Sequence, residues 1–227
     1  MAKTNKQFLV IGLGNFGFSL TKTLFENGAS VVAIDRNMDI INEIEPFCTQ
    51  AICMDATDER ALSKIGINNF DACIVSSCSD LEFNIYICIS LLQASAKNII
   101  AKARDHKHKL VLEKLGVNKI IIPEEEMSKK LGLNLIRPNM IEVISLGDDF
   151  TIVEIKTPPK WVNKTIVELD LRNKEHVTVL AINSGKKTLH PPYIGEHKLT
   201  EDDIMFISGT TADTMRLSNK ATKSVIN

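Results

Sequence analysis

The chain has 227 residues, 44% of them hydrophobic and 24% charged, with a formal net charge of −1. That is the composition of a soluble globular protein of one large or two small domains. A near-neutral balance supplies no general attraction to nucleic acid or to an anionic membrane surface, and nucleic acid is not expected as a partner. Strand-like and helix-like stretches then alternate along the first 136 residues. "FLVIGL" (8–13) reads as a strand and "FSLTKTLFENG" (18–28) as a helix stopped by Gly28. "SVVAID" (30–35) is a strand, "MDIINEIEP" a helix, "TQAICMD" (49–55) a strand and "DERALSKIG" (58–66) a short helix. "ACIVSS" (72–77), "NIIAKAR" (98–104) and "KIIIP" (119–123) read as strands. "LEFNIYICISLLQAS" (81–95), "HKLVLEKLGV" (108–117) and "EEEMSKKLGLNLI" (124–136) read as the helices after them.

Six strands without polar alternation, separated by helices, predict an α/β fold: a Rossmann-like doubly wound parallel sheet covered on both faces. At the first strand–helix junction stand Gly12, Gly14 and Gly17. Glycine costs roughly 0.5–1 kcal/mol relative to alanine inside a regular element, so the spacing needs a reason. Gly12 suits the tight turn, Gly14 a close approach of phosphate to the backbone, and Gly17 close packing of helix on sheet. The helix N-terminus then offers its unpaired N–H groups to an anion. Asp35 ends the second strand, 18 positions beyond Gly17, where a carboxylate accepts both ribose hydroxyls of an adenosine and repels a 2′-phosphate. Arg36 follows it and can serve an extra phosphate.

After "RPNM" (137–140), in which Pro138 stops the preceding helix, the pattern changes to a smaller α+β unit. "TIVEIKT" (151–157), "VTVLAIN" (177–183) and "IMFISGT" (204–210) read as strands and "IVELDLRNK" (166–174) as a helix. "SGKK" reads as a hairpin turn, "TLHPPY" as a short edge segment and the end of the chain as a polar helix. The division predicts domains at 5–137 and 141–220. The five cysteines (Cys48, Cys53, Cys73, Cys78 and Cys88) are odd in number and form no C-x-x-C pair. They read as small buried hydrophobes in a reducing compartment. "MAKTNKQF" carries no apolar signal core, and no apolar run reaches the ~18–20 residues of a membrane helix, so the expected location is cytoplasmic.

An NAD-dependent oxidoreductase is the competing reading of such a fold. It needs an acid or base beside the nicotinamide. Tyr86 and Tyr193 are followed four positions on by Ser90 and His197, so neither forms a Tyr-x-x-x-Lys pair. His106 and His108 lie near the end of the fifth strand, and His190 and His197 flank a Pro-Pro turn with no carboxylate partner by spacing. No catalytic residue emerges, and the expected class is a non-enzyme.

The stretches "VIGLGNFG", "DATDERALSKIGI", "NIIAKARD" and "HKLVLEKLGVNKIIIPEEEM", followed by a small α+β unit, resemble the RCK (KTN) regulatory subunits of bacterial Ktr/Trk potassium transporters, of the KtrA/KtrC type. The resemblance covers about residues 6–215 in the same order. It implies a TrkA-N nucleotide domain followed by a TrkA-C (RCK_C) domain. It implies ATP/ADP or NAD(H) as ligand, and a homodimer assembling into an octameric ring on a membrane-embedded, KtrB-like potassium translocating subunit at the inner face of the membrane. By resemblance, Gly12, Gly14 and Gly17 form the phosphate loop, with Asn15 and Phe16 between them as binding positions, Asp35 is the ribose acid, and Asp55 and Ala56 lie near the adenine. Ser76, Ser77, Lys102, Ala103, Arg104 and His108 face the ligand around the fourth and fifth strands. Relatives often carry Arg where this chain has Asn15, reaching the terminal phosphate of ATP. A charge-assisted contact worth roughly 1–3 kcal/mol is thereby lost.

Pro123 and the glutamates after it suit a helix start, which accounts for Glu125 and Glu126. For Glu124 the resemblance adds a role, holding a divalent cation (Mg²⁺ or Ca²⁺) near the phosphates together with its copy across the dimer. The apolar helix 81–95 is expected to be a dimer face. In the second domain Ile166, Arg172, Asn173, His176, Val177, Pro191 and Pro192 match a cyclic di-AMP cleft of Ktr-type relatives. Arg172 would take a phosphate, and Ile166, Val177 and Pro191 would cover purine faces. The competing reading is an amphipathic helix with a solvated Arg172. His176 stands where relatives often have Gly.

Overall fold

The structure, a computed structural model, describes residues 4–76, 81–136, 140–147, 149–185 and 187–223. Strand β1 (Gln7–Ile11) buries the consecutive residues Leu9, Val10 and Ile11, which requires cover on both faces of the sheet. Helix α1 (Asn15–Glu26), β2 (Ser30–Asp35), α2 (Met38–Ile44), β3 (Gln50–Cys53), α3 (Glu59–Ser63) and β4 (Ala72–Val75) follow. Then come α4 (Leu81–Gln93), β5 (Ile99–Lys102), α5 (His106–Leu115), β6 (Lys119–Ile121) and α6 (Pro123–Ile136). The six strands pair in parallel in the order β3-β2-β1-β4-β5-β6, so the chain reverses its direction of winding beside β1.

Alternate residues of β1 serve two separate cores. Leu9 and Ile11 pack with Leu62 of α3, Ile87 and Leu91 of α4 and Leu112 of α5. Val10 packs on the other face with Phe18 and Leu24 of α1 and Ile41 and Ile44 of α2. This double cover is what opens the carboxyl ends of β1 and β4, on opposite sides of the reversal, as a crevice.

Residues to Glu125 form one compact unit, and residues from Glu126 a second. In the second, β7 (Met140–Ser145), β8 (Phe150–Lys156), β9 (Thr178–Ser184), β10 (Lys187–Leu189) and β11 (Ile204–Thr210) form an antiparallel sheet in the order β10-β9-β11-β8-β7. Helix α9 (Thr211–Lys223) closes it, as the expected tail helix. Strand β7 is an addition to the sequence reading: it pairs with β8 through a turn at Gly147, whose φ is 81°. The helix expected over 166–174 is two short helices, α7 (Ile166–Leu169) and α8 (Leu171–Glu175), broken at Asp170 with φ 48°. Leu169 and Leu171 are both buried. Two positions apart on one helix they would point in nearly opposite directions, so the left-handed residue between them lets both reach one core.

His197 does have a carboxylate partner. Its Nε2 lies 2.7 Å from Asp203 Oδ2, which also accepts the Thr200 N–H at 2.9 Å, because the turn at 200–203 folds back on it. Burial pushes the Asp203 carboxyl up, but hydrogen bonds from Ser184, Thr200 and His197 outweigh it and hold the carboxyl below the usual carboxylate range. Cys48, Cys73 and Cys88 are buried as expected, whereas Cys53, at the open end of β3, is exposed. Cys78 and Pro138 lie outside the described residues. No helix among the described residues is long and apolar enough to cross a membrane.

Candidate nucleotide site

Leaving β1, Gly12 has φ 86°, a conformation side chains oppose. The turn places Gly14 as the N-cap of α1 with no side-chain cap and no acidic residue in the first turn. The first N–H groups of this twelve-residue helix therefore face outward without a protein acceptor of that kind. A Cβ at Gly14 would meet no protein atom within 4 Å, so packing does not require the glycine there. Gly17 is the opposite case. A Cβ there would overlap the Gly12 carbonyl oxygen and Ser76 Oγ, and stand 3.1 Å from the Gly12 carbonyl carbon. Ser76 Oγ in turn donates to the Gly12 carbonyl, tying the end of β4 to the glycine turn.

Asp35 builds the loop as well as facing it. Its Oδ2 accepts the Leu13 N–H at 2.7 Å, and its Oδ1 accepts the Asn37 N–H at 2.9 Å. Each carboxylate oxygen keeps a further lone pair for a hydroxyl. Beside these residues opens a cavity of about 450 Å³ lined by Gly12, Gly14, Asp35, Arg36, Asp55, Ala56, Ser76 and Lys102. Arg36 sits over the Phe83 ring, 6.0 Å from its centroid. Asp55 accepts from Thr57 Oγ1 and N–H, and this pair holds its carboxyl below the usual range.

Other expected residues fall elsewhere. Ala103 is fully buried in the core, and Arg104 is exposed and paired with its neighbour Asp105 at 3.3 Å. His108 does not line the cavity: only 2% exposed, it points inward, with Nδ1 accepting the Arg104 N–H at 3.2 Å. Burial lowers its pKa against the opposing charge of Asp105. Asn15 and Phe16 belong to the first turn of α1 but do not line the cavity, and Ser77 lies outside the described residues. Glu124 pairs with Lys102, whose hydrogen bond holds its carboxyl low. Among the described residues no cluster of three or more His, Cys, Asp or Glu is arranged to hold a metal ion.

The cavity also uses residues that sequence reasoning passed over: Asn37, Ile40, Met54, Thr57 and Phe83. Thr57, two positions beyond Asp55, carried a usable signal as an Asx-turn partner. In the second unit Arg172, Asn173, His176 and Pro191 are exposed and Ile166 is half-buried. Val177 is 1% exposed inside the core and has no face to offer a purine.

The TrkA-N domain family model matches residues 8–123, and the TrkA-C domain model matches residues 150–222. The chain is 36% identical over 217 residues to Ktr system potassium uptake protein A of Bacillus subtilis, covering 95% of this chain and 97% of that one. It is 32% identical over 215 residues to Ktr system potassium uptake protein C of the same organism, with the same coverage. A solved GsuK channel bound to NAD shares the fold, with a TM-score of 0.61 at 17% identity. That likeness covers 92% of this chain but 38% of the channel chain, so this chain spans under half of it. By both domain matches and by its near full-length similarity to the two Ktr proteins, the chain belongs to the TrkA-N/TrkA-C, or RCK, family.

Proposed function

We propose that this protein is a nucleotide-sensing regulatory subunit of a potassium uptake system, without enzymatic activity of its own. The carrying observation is the crevice at the carboxyl ends of β1, β2 and β4, where the uncapped N-terminus of α1 and the Asp35 carboxylate face one cavity in a chain that nearly spans two Ktr proteins. The adenosine of ATP, ADP or NAD(H) fits this arrangement, with ribose at Asp35, phosphates at Gly12–Gly17 and the base toward Ala56 and Met54. The protein acts as dimers in a ring on a membrane-embedded, KtrB-like translocating subunit, at the inner face of the membrane. Glu124 from two copies holds a divalent cation in the nucleotide-bound ring, and the domains run over 5–137 and 141–220.

The second domain takes cyclic di-AMP at exposed Arg172, Asn173, His176 and Pro191, without Val177. Calorimetry of the full chain against ATP, ADP, NAD⁺ and NADH tests the main reading. Adenine-nucleotide binding without substrate turnover is the expected result. Oxidation of a substrate coupled to reduction of NAD⁺ to NADH would replace the sensor with an oxidoreductase. Cyclic di-AMP heats that are unchanged in Arg172→Ala would remove the second site.

A further inference from the structure

Two cationic side chains line the cavity among the described residues, and they lie on opposite sides of the glycine turn. Arg36 follows β2, on the Asp35 side. Lys102 ends β5, two strands from β1 in the other direction. A nucleotide held by its ribose at Asp35, with its first phosphate at Gly12–Gly14, therefore extends toward β4 and β5. Strands lie about 4.8 Å apart, so the Lys102 backbone stands roughly 10 Å from β1, past the N–H groups of the glycine turn. The cation met on this path is Lys102.

That ammonium is engaged within the chain itself. Lys102 Nζ pairs with Glu124 Oε1, in the first turn of α6. The partners are unequally exposed: the lysine side chain keeps 14% of its surface and the glutamate 66%. The Lys102 carbonyl accepts from Asn84 Nδ2 at 3.3 Å, so its backbone is tied at the sheet end while Glu124 faces water. The carboxylate can therefore leave into solvent at small cost, whereas the lysine cannot move far.

We infer that Lys102 reads a distal phosphate of the bound nucleotide and that Glu124 competes with that phosphate for it, so that phosphate capture releases Glu124. This rests on the nucleotide reading above and adds its regulation. Adenosine carries no phosphate and leaves the Lys102–Glu124 pair closed. A diphosphate presents a more highly charged acceptor and opens it. The first turn of α6 thereby registers the phosphate state of the ligand.

The test is calorimetry of the full-length chain with ADP and with adenosine, in EDTA so that no divalent cation takes part. Glu124→Gln is expected to tighten ADP about 2- to 5-fold, the range for losing an exposed competing pair, with adenosine unchanged. Lys102→Met is expected to weaken ADP about 10-fold or more, with Lys102→Arg retaining most of the affinity. In a Lys102→Met background the Glu124→Gln gain must shrink, because competition needs the lysine. Simple repulsion between Glu124 and phosphate would keep the gain intact. A gain of equal size in both backgrounds, or no gain in a Glu124→Gln protein with a wild-type melting curve, overturns the inference. Wild-type protein that binds no ADP at all refutes the nucleotide reading instead.

Discussion

Replacing Asp35 with alanine should damage the protein before any ligand is added. The carboxylate accepts the Leu13 N–H at 2.7 Å and the Asn37 N–H at 2.9 Å. The two losses differ. Asn37 is exposed, so water replaces its partner. Leu13 is 2% exposed, and its N–H would be left without an acceptor in a nearly dry turn. An orphaned buried donor costs about 1–3 kcal/mol, and for a chain of this size each kcal/mol moves the midpoint by roughly 2–4 °C. Thermal unfolding of ligand-free Asp35→Ala is therefore expected some 4–8 °C below wild type, taking about 2 kcal/mol as the central cost. Asp35→Asn, which keeps one carbonyl oxygen for Leu13, should recover part of this. Only after this apo term is subtracted does the further loss of adenosine affinity, roughly 1–3 kcal/mol for bonds to a charged acceptor, report on the ribose. A ligand-free Asp35→Ala protein that melts with wild type would refute the clamp.

The two ends of the glycine motif should separate cleanly. Gly17→Ala forces a Cβ into the Gly12 carbonyl and should lower the apo melting temperature, whereas Gly14→Ala meets open space and should leave it within about 2 °C while weakening ADP. Equal melting curves for the two variants would deny that Gly17 is a packing glycine. In the second unit the Asp203 carboxyl is held low, so it contributes stability above about pH 4 that is lost as pH falls through its folded value. Acid titration followed by circular dichroism should be flatter for Asp203→Asn below pH 4, and parallel curves would count against that pairing. Burial pushes the Cys73 and Cys88 thiols up to about 12, while Cys53 is exposed. Alkylation of native protein at pH 8 should mark Cys53 and spare Cys73 and Cys88 until denaturant is added, as peptide masses would show.

The first unit was legible because a parallel sheet must be covered on both faces. Leu9, Val10 and Ile11 cannot all be buried in a sheet with one wet side, so an unalternating apolar strand announces helices above and below. Side-chain direction was less legible. The family resemblance puts His108 at the ligand, yet it is four positions before fully buried Leu112 on α5 and shares that helix's inner face. The helical period alone sets that direction. Strand β7 lacks a clear period in the sequence: its pairing with β8 slips between Met140 and Glu142, which breaks the two-residue alternation. The contacts of His197 with Asp203 and of Arg36 with Phe83 join residues whose separations match no regular element, so only the folded chain reveals them.

Asn15 bears on how a sensor of this kind can work. The side chain at this position does not line the cavity, so on the proposed reading discrimination among phosphates passes to Lys102 and Glu124. Exchange of partners at one lysine, when the partner it gives up is an exposed carboxylate, is worth about 1 kcal/mol. Reversing a two-state equilibrium from 1:99 to 99:1 takes about 5.5 kcal/mol of differential affinity. One chain therefore cannot switch a transporter by this contact alone. Several copies moving together can, because small per-chain terms add when the shapes are shared. A weak phosphate contact is compatible with a decisive signal only in an assembly, and the proposed ring on a membrane partner meets that energetic requirement.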